Sequence, residues 1–154
     1  MAVECLSAGG TGTYAVTSRW PDLTEVQVGS YVFMDANYSS IEGMDAFAPA
    51  LTVLATVTSH PHPQVIIVDT GLKAMGSEYG TAALIEFPES RCAYLSEEHS
   101  RFDFPAEPGL RVGDKVRILP PHCCTTSNLH ERFYAVRNEA IEDIWPIEAR
   151  GRSQ

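Results

Sequence analysis

The chain is short of basic side chains and of long apolar runs, and each shortage removes a class of function. Lysine and arginine together number 11 against 20 aspartates and glutamates, a formal net charge of −9 over 154 residues. The acids are scattered (Glu25, Asp35, Glu97, Glu98, Glu142, Asp143) and the cations are not clustered. Nucleic acid and anionic membrane, which need a concentrated cationic face, are therefore excluded as partners. No apolar stretch approaches the span of a bilayer, and no basic region precedes an apolar run at the N-terminus, which places the chain in the cytoplasm. Cysteines are few, and the adjacent pair Cys123 and Cys124, with Cys5 and Cys92, makes no plausible disulfide framework. Internal repeats, low-complexity tracts and long amphipathic helices are missing as well. What is present is ordinary globular composition, 44% apolar and 20% charged, enough for a domain with a real core.

The local signals are mostly those of strands. Ala2 to Ser7 is a short apolar run that suits a buried strand, Thr24 to Val28 alternates, and Tyr31 to Met34 reads as a strand ending at Asp35, either a turn acid or a site acid. From Ala36 to Phe47 the pattern supports a short loop or one helical turn. Leu51 to Thr58, rich in β-branched residues, is the clearest strand, and His60-Pro61-His62-Pro63 reads as a proline-fixed corner before its partner, Val65 to Val68. Leu84 to Phe87 and Cys92 to Leu95 are further strands, and the alternation at Phe102 and Phe104 predicts core packing. A tight turn over Leu110 to Lys115 feeds the strand Val116 to Leu119. Asn128 to His130 suits a single turn. Phe133 to Val136 and Ile141 to Trp145 form a hairpin around Arg137-Asn138-Glu139, ended by Pro146.

Two stretches carry chemistry. Leu119-Pro120-Pro121-His122-Cys123-Cys124 enters extended because its prolines fix φ and remove donors. In an extended chain His122 and Cys124 share one face and Cys123 takes the other. Imidazole and thiolate favour zinc or a similar borderline ion, and two protein ligands leave positions open for water or substrate. The same residues also suit a buried histidine beside small apolar cysteines. Gly9-Gly10-Thr11-Gly12-Thr13 could let backbone amides approach a phosphate, or be a plain loop. It is not a dinucleotide fingerprint, since Tyr14 to Thr17 is β-prone where a helix should open, nor a Walker motif, since no lysine follows the glycines. His60 and His62 could bind metal, but their prolines favour a solvent-facing turn.

Taken in order, the Gly9–Tyr14 turn, Gly29 to Asp35, Asp69 to Ala74, Leu95 to His99, Pro121 to Thr125 and Asn128-Leu129 resemble the C-terminal portion of the D-serine dehydratase and D-threonine aldolase family. The resemblance covers nearly the whole chain. It implies pyridoxal-phosphate enzymes of the alanine-racemase fold, with an N-terminal (β/α)8 barrel that carries the Schiff-base lysine and a C-terminal β domain. By resemblance His122 and Cys124 hold a divalent metal, Zn2+ or Mn2+, and Gly9, Gly10, Thr11 and Tyr31 grip the cofactor phosphate. The expected fold is mainly β: a β-barrel or sandwich-like domain at 46–154, preceded at 1–45 by a remnant of the (β/α)8 barrel. The expected substrate is a D-3-hydroxy amino acid, either dehydrated or cleaved between Cα and Cβ. Most of the barrel that the family pattern places before Gly9 is absent, and neither lysine, Lys73 or Lys115, matches the Schiff-base position. No catalytic residue is therefore assigned, and activity is expected only with the barrel, supplied as a missing domain or by a homodimer partner. The alternative is a truncated fragment or non-catalytic β module that binds metal or a partner protein.

Overall fold

The computed structural model describes residues 4–152. Its first part is a short parallel crossover: β1 (Ser7–Ala8) pairs with β2 (Glu25–Val26), and between them lie a 3-10 turn, Thr11–Thr13, and one turn of helix, α1 (Tyr14–Thr17). Parallel strands cannot be joined by a hairpin, so the intervening chain must climb back, and the β-prone residues Tyr14 to Thr17 are helical for that reason. The run expected to be a buried strand yields only the exposed pair Ser7–Ala8, and Met1 to Val3 lie outside the described residues. Tyr31 to Met34 is likewise not a strand. Ser30–Val32 forms a 3-10 turn, the Met34 amide donates to Ser30 O at 2.7 Å, and Met34 takes φ of 55°, which breaks extension. One helical turn follows, α2 (Ala36–Ser39), within the stretch where a loop or single turn was expected.

The remainder is β structure. β3 (Val53–His62) and β4 (Val65–Val68) form a hairpin, and β5 (Ala83–Leu84), β6 (Arg91–Leu95), β7 (Ser100–Asp103) and β8 (Lys115–Leu119) complete an antiparallel sheet in the order β5-β8-β3-β4-β7-β6, a nearly closed barrel. Val53, Ala55 and Val57 of β3 point inward, with Leu54 outward, the period of two that a half-buried strand imposes. They meet Ile66, Val68, Leu84, Phe102, Val116 and Ile118, and each large side chain buried there contributes about 1.5–3 kcal/mol. Phe102 and Phe104 belong to this core, as their spacing predicts. β3 runs straight through Pro61, so the proline corner is in fact strand. The register shifts between Ser59 and His62, and β8 pairs only with Val53 to Thr56, so Pro61 sits at an irregular edge where its missing N–H costs little.

The helix α3 (Cys123–Leu129) follows β8, longer than the single turn expected at Asn128. The chain closes with the hairpin β9 (Arg132–Arg137) and β10 (Ala140–Pro146), whose turn residues Asn138 and Glu139 both take positive φ. Among the described residues no helix is long and apolar enough to cross a membrane.

Candidate functional site

The site is assembled where the first part of the chain meets the end of β8. Leu119 leaves the sheet, the Pro120 carbonyl accepts from Ala36 N–H at 3.0 Å, and His122 stands in extended conformation as the N-cap of α3. Its own side chain caps nothing. Instead Asp35, wholly buried, reaches across from the start of α2. Asp35 Oδ1 accepts from Tyr38 N–H at 2.8 Å, and Oδ2 accepts from Cys123 N–H at 2.9 Å, so one carboxylate starts two helices. Oδ2 also lies 3.0 Å from His122 Nδ1. Both carboxylate oxygens already serve as acceptors, so Nδ1 is the donor of this contact and the Nε2 lone pair is left to face a ligand. Asp35 is thus both a turn acid and a site acid.

His122, Cys123 and Cys124 bring one ligand atom each to within 4.8 Å of one another. The route differs from the expected one: Cys123 and Cys124 are the first residues of a helix, so the pair converges around an N-cap and not along one face of a strand. The two cysteines differ in kind. Cys123 is buried, and burial first, then the neighbouring Cys124 and Asp35, push its thiol up to about 12. Cys124 is exposed, with Ser30 Oγ at 3.7 Å from its sulfur. The accessible pair is one imidazole nitrogen and the exposed Cys124 sulfur, with a buried carboxylate behind, and it suits a divalent borderline cation.

A second loop covers the pair. The edge of the Tyr79 ring meets the His122 imidazole at 5.2 Å between centroids, Gly76 N–H donates to Thr126 Oγ1 at 3.0 Å, and His130 Nε2 lies 2.6 Å from Ala74 O. Glu78 stands beside Thr125. The Thr125 hydroxyl and the amides of Glu78 and Ser77 hold its carboxyl below the usual carboxylate range against the opposing effect of burial. Neither Glu78 nor Tyr79 carries a sequence signal, because both act through a contact with α3 made some 45 residues away.

The glycine and threonine residues also come together with Tyr31. Gly9 takes φ of +77° and a Cβ there would lie 2.8 Å from the Thr17 side chain, so this turn requires glycine. Gly10 N–H donates to Thr13 Oγ1 at 3.1 Å, and Thr11, buried, accepts on its Oγ1 from Tyr31 N–H at 3.2 Å and Gly29 N–H at 3.4 Å. A Cβ at Gly10 would meet nothing closer than Gln27 O at 3.7 Å, so the turn leaves room for a side chain at that position. Thr11, Tyr14, Tyr31 and Phe47 line an apolar pocket beside the turn. Ser30 lies between the two clusters, adjacent to Tyr31 and in contact with Cys124.

The remaining candidates lie elsewhere. His60 Nε2 is 3.3 Å from Pro63 O, a turn contact, and His62 is exposed. Lys73 Nζ donates to Glu98 at 2.6 Å, and Lys115 Nζ to the Thr56 hydroxyl at 2.5 Å.

Residues 50–136 match the family described as "Putative serine dehydratase domain". The 3-hydroxy-D-aspartate aldolase of Paracoccus denitrificans is 36% identical over 159 residues, covering 99% of this chain and 41% of that protein. Among solved structures, the D-threonine aldolase of Filomicrobium marinum superposes with a TM-score of 0.93 at 31% identity, over 100% of this chain and 42% of that one. The D-threo-3-hydroxyaspartate dehydratase of Delftia sp. HT23 gives 0.76 at 27%, over 95% of this chain and 44% of that one. A D-threo-3-hydroxyaspartate dehydratase has also been solved as a cysteine-to-alanine variant in the metal-free form and as a histidine-to-alanine variant, at positions two residues apart. The chain thus spans about two fifths of the length of these aldolase and dehydratase relatives. On this extent of likeness in sequence and fold, the chain belongs to the serine dehydratase domain family, as a part corresponding to the C-terminal portion of D-threonine aldolase and hydroxyaspartate aldolase and dehydratase relatives.

Proposed function

We propose that this chain is the metal-binding, cofactor-phosphate-facing part of a pyridoxal-phosphate lyase acting on D-3-hydroxy amino acids. The observation that carries the reading is the Asp35 to His122 Nδ1 contact of 3.0 Å with Cys124 beside it, the carboxylate-backed imidazole typical of metal ligands. The two substituted positions of the metal-free and histidine-variant dehydratase share the spacing of His122 and Cys124, which supports the same assignment. Bound here, a divalent ion, Zn2+ or Mn2+, would supply a Lewis acid at the substrate 3-hydroxyl, and pyridoxal phosphate an electron sink at Cα. The chain's own residues have separate tasks. Asp35 holds the Nδ1 proton and orients the imidazole, Cys124 offers its exposed sulfur as a ligand, and Cys123 is buried and packs. Gly9, Gly10, Thr11 and Tyr31 offer the phosphate a glycine backbone and a threonine hydroxyl braced from behind.

Neither lysine suits covalent work with the cofactor: Lys73 is engaged by Glu98, which raises its proton affinity, and Lys115 by Thr56. Turnover is therefore proposed to need a lysine-bearing barrel, from the rest of a longer chain or from a partner. A non-catalytic β module that binds a partner has one observation in its favour, the exposed apolar side chains Tyr134, Val136, Ile141 and Ile144 on the β9–β10 hairpin.

The test is calorimetric titration of the purified chain with Zn2+ and Mn2+, beside His122→Ala and Cys124→Ala, then assay with pyridoxal phosphate and D-serine or D-threonine. We expect one ion bound, binding lost in both variants, and no turnover. Absence of binding, or binding unchanged in either variant, would remove the metal assignment. Turnover would show that Lys73 or Lys115 serves the cofactor and that no further barrel is needed.

A further inference from the structure

The Gly76–Tyr79 loop leaves an unusual atom next to the His122 and Cys124 pair. Glu78 Oε1 is shut off from solvent although the side chain as a whole is only half-buried, and it has no hydrogen-bond partner among the described residues. Buried carboxylate oxygens are almost always paired, so an orphan calls for an explanation in an unseen donor. The crowding around it is specific. A Cβ on Gly76 would lie 2.2 Å from Thr125 Oγ1, 2.8 Å from Glu78 Oε2 and 3.1 Å from Oε1, so glycine at 76 is what allows the carboxylate and the helix residue after Cys124 to sit together. The next residue, Tyr79, lays its ring edge on His122, which brings the loop over the imidazole.

We propose that Glu78 is a positioning residue of the metal centre: its Oε1 accepts a hydrogen bond from the water or hydroxyl group in the open position of the ion held by His122 and Cys124. The inference rests on the metal reading of the preceding subsection. Glu78 is not a third ligand, because its oxygens fall outside the group of donor atoms that His122, Cys123 and Cys124 bring together. It is an outer acceptor, complementary to Asp35. Asp35 fixes the imidazole from behind and Glu78 fixes what the ion carries in front. Two protein ligands leave the ion with exchangeable positions, and a bound water or alcohol made more acidic by the ion is a strong donor in search of an acceptor. The positive charge of the ion also gives the enclosed anionic oxygen a partner that the apo chain lacks.

The experiment uses the full chain with Co2+, whose visible bands report coordination. Wild type, Glu78→Gln, Glu78→Ala, His122→Ala and Cys124→Ala are titrated, and the thermal midpoint of each metal-free protein is measured. Glu78→Gln and Glu78→Ala are expected to weaken Co2+ binding roughly 10- to 100-fold and to shift the ligand-field bands while keeping the thiolate-to-cobalt band. Their metal-free midpoints should fall slightly, since the carboxylate gives up the Thr125 hydroxyl and the Ser77 and Glu78 amides. A purely structural role for Glu78 would give a lower midpoint with unchanged Co2+ affinity and unshifted bands, and would overturn the proposal. Wild-type affinity and unshifted bands in both Glu78 variants, with binding still lost in His122→Ala and Cys124→Ala, would overturn it while leaving the metal centre standing. No binding by the wild type, or none of it dependent on His122 and Cys124, would overturn both.

Discussion

At Asp35 a carboxylate with no exposed surface accepts from Tyr38 N–H, Cys123 N–H and His122 Nδ1, so its removal strands two backbone donors and frees one imidazole. Asp35→Ala should cost roughly 2–4 kcal/mol in urea unfolding, with Asp35→Asn, which keeps an acceptor, costing less. Either change should also weaken metal binding, read by the same titration. The two cysteines next to the histidine separate by chemistry. Iodoacetamide on the metal-free native chain should label Cys124 and Cys5, both exposed, and spare Cys123 and Cys92, both buried, as peptide mass spectrometry would reveal. Cys123 further sets an alkaline limit. The unfolded chain releases this proton near the ordinary 9.0, whereas the folded chain holds it until about 12. The unfolded state then binds fewer protons across that window, and stability falls as pH rises through it. Urea midpoints of the metal-free protein at about pH 8.5 and 10.5 should drop more for wild type than for Cys123→Ala; equal drops would remove Cys123 as the cause.

Among the elements, the sharpest constraint is the close approach of Gly71 to the Leu95–His99 turn. A Cβ at 71 would lie 2.3 Å from Ser96 O and 2.7 Å from His99 N, both backbone atoms, while Leu72 and Lys73 amides bond Ser96 O and Glu97 O at 2.8 and 2.9 Å. Gly71→Ala is therefore expected to destabilise by roughly 1–3 kcal/mol or more, seen as a lowered thermal midpoint. In the β9–β10 turn the opposite holds. Glu139 takes φ of 63° without being glycine, so Glu139→Gly should raise stability by about 1 kcal/mol in the same assay. Elements whose residues follow a period of two and pair locally were legible in advance: β4, β6, β8 and the last hairpin stand where alternation and turn residues put them, and β3 does so up to Thr58, beyond which it runs on through Pro61. Tyr14 to Thr17 and Tyr31 to Met34 were not, because their strand-prone residues lack a strand to pair with. The first is helical to complete a parallel crossover, and the second is turned by Ser30 and Met34 before reaching any sheet.

Over the whole molecule, two regions far apart in the chain are joined at one place. Ala36 N–H to Pro120 O at 3.0 Å, Ala50 N–H to Phe33 O at 2.8 Å and the Phe33 to Phe133 ring contact at 5.1 Å hold the first part of the chain against the exit of the barrel sheet. The candidate metal site and the candidate phosphate turn meet there through Ser30, which touches Cys124 and precedes Tyr31. Residue types and spacing alone determined the metal-prone His-x-Cys pair, the glycine turn, the mainly β character and the family, since these depend on side-chain chemistry and short periods that are written locally. The tertiary structure alone decided that Cys123 is buried and Cys124 exposed, that Asp35 meets the His122 imidazole, and that Glu78 carries an unpaired buried oxygen. Each of those depends on burial and on hydrogen bonds between residues some 45 to 90 positions apart, and neither burial nor a long-range partner has a local signature in sequence.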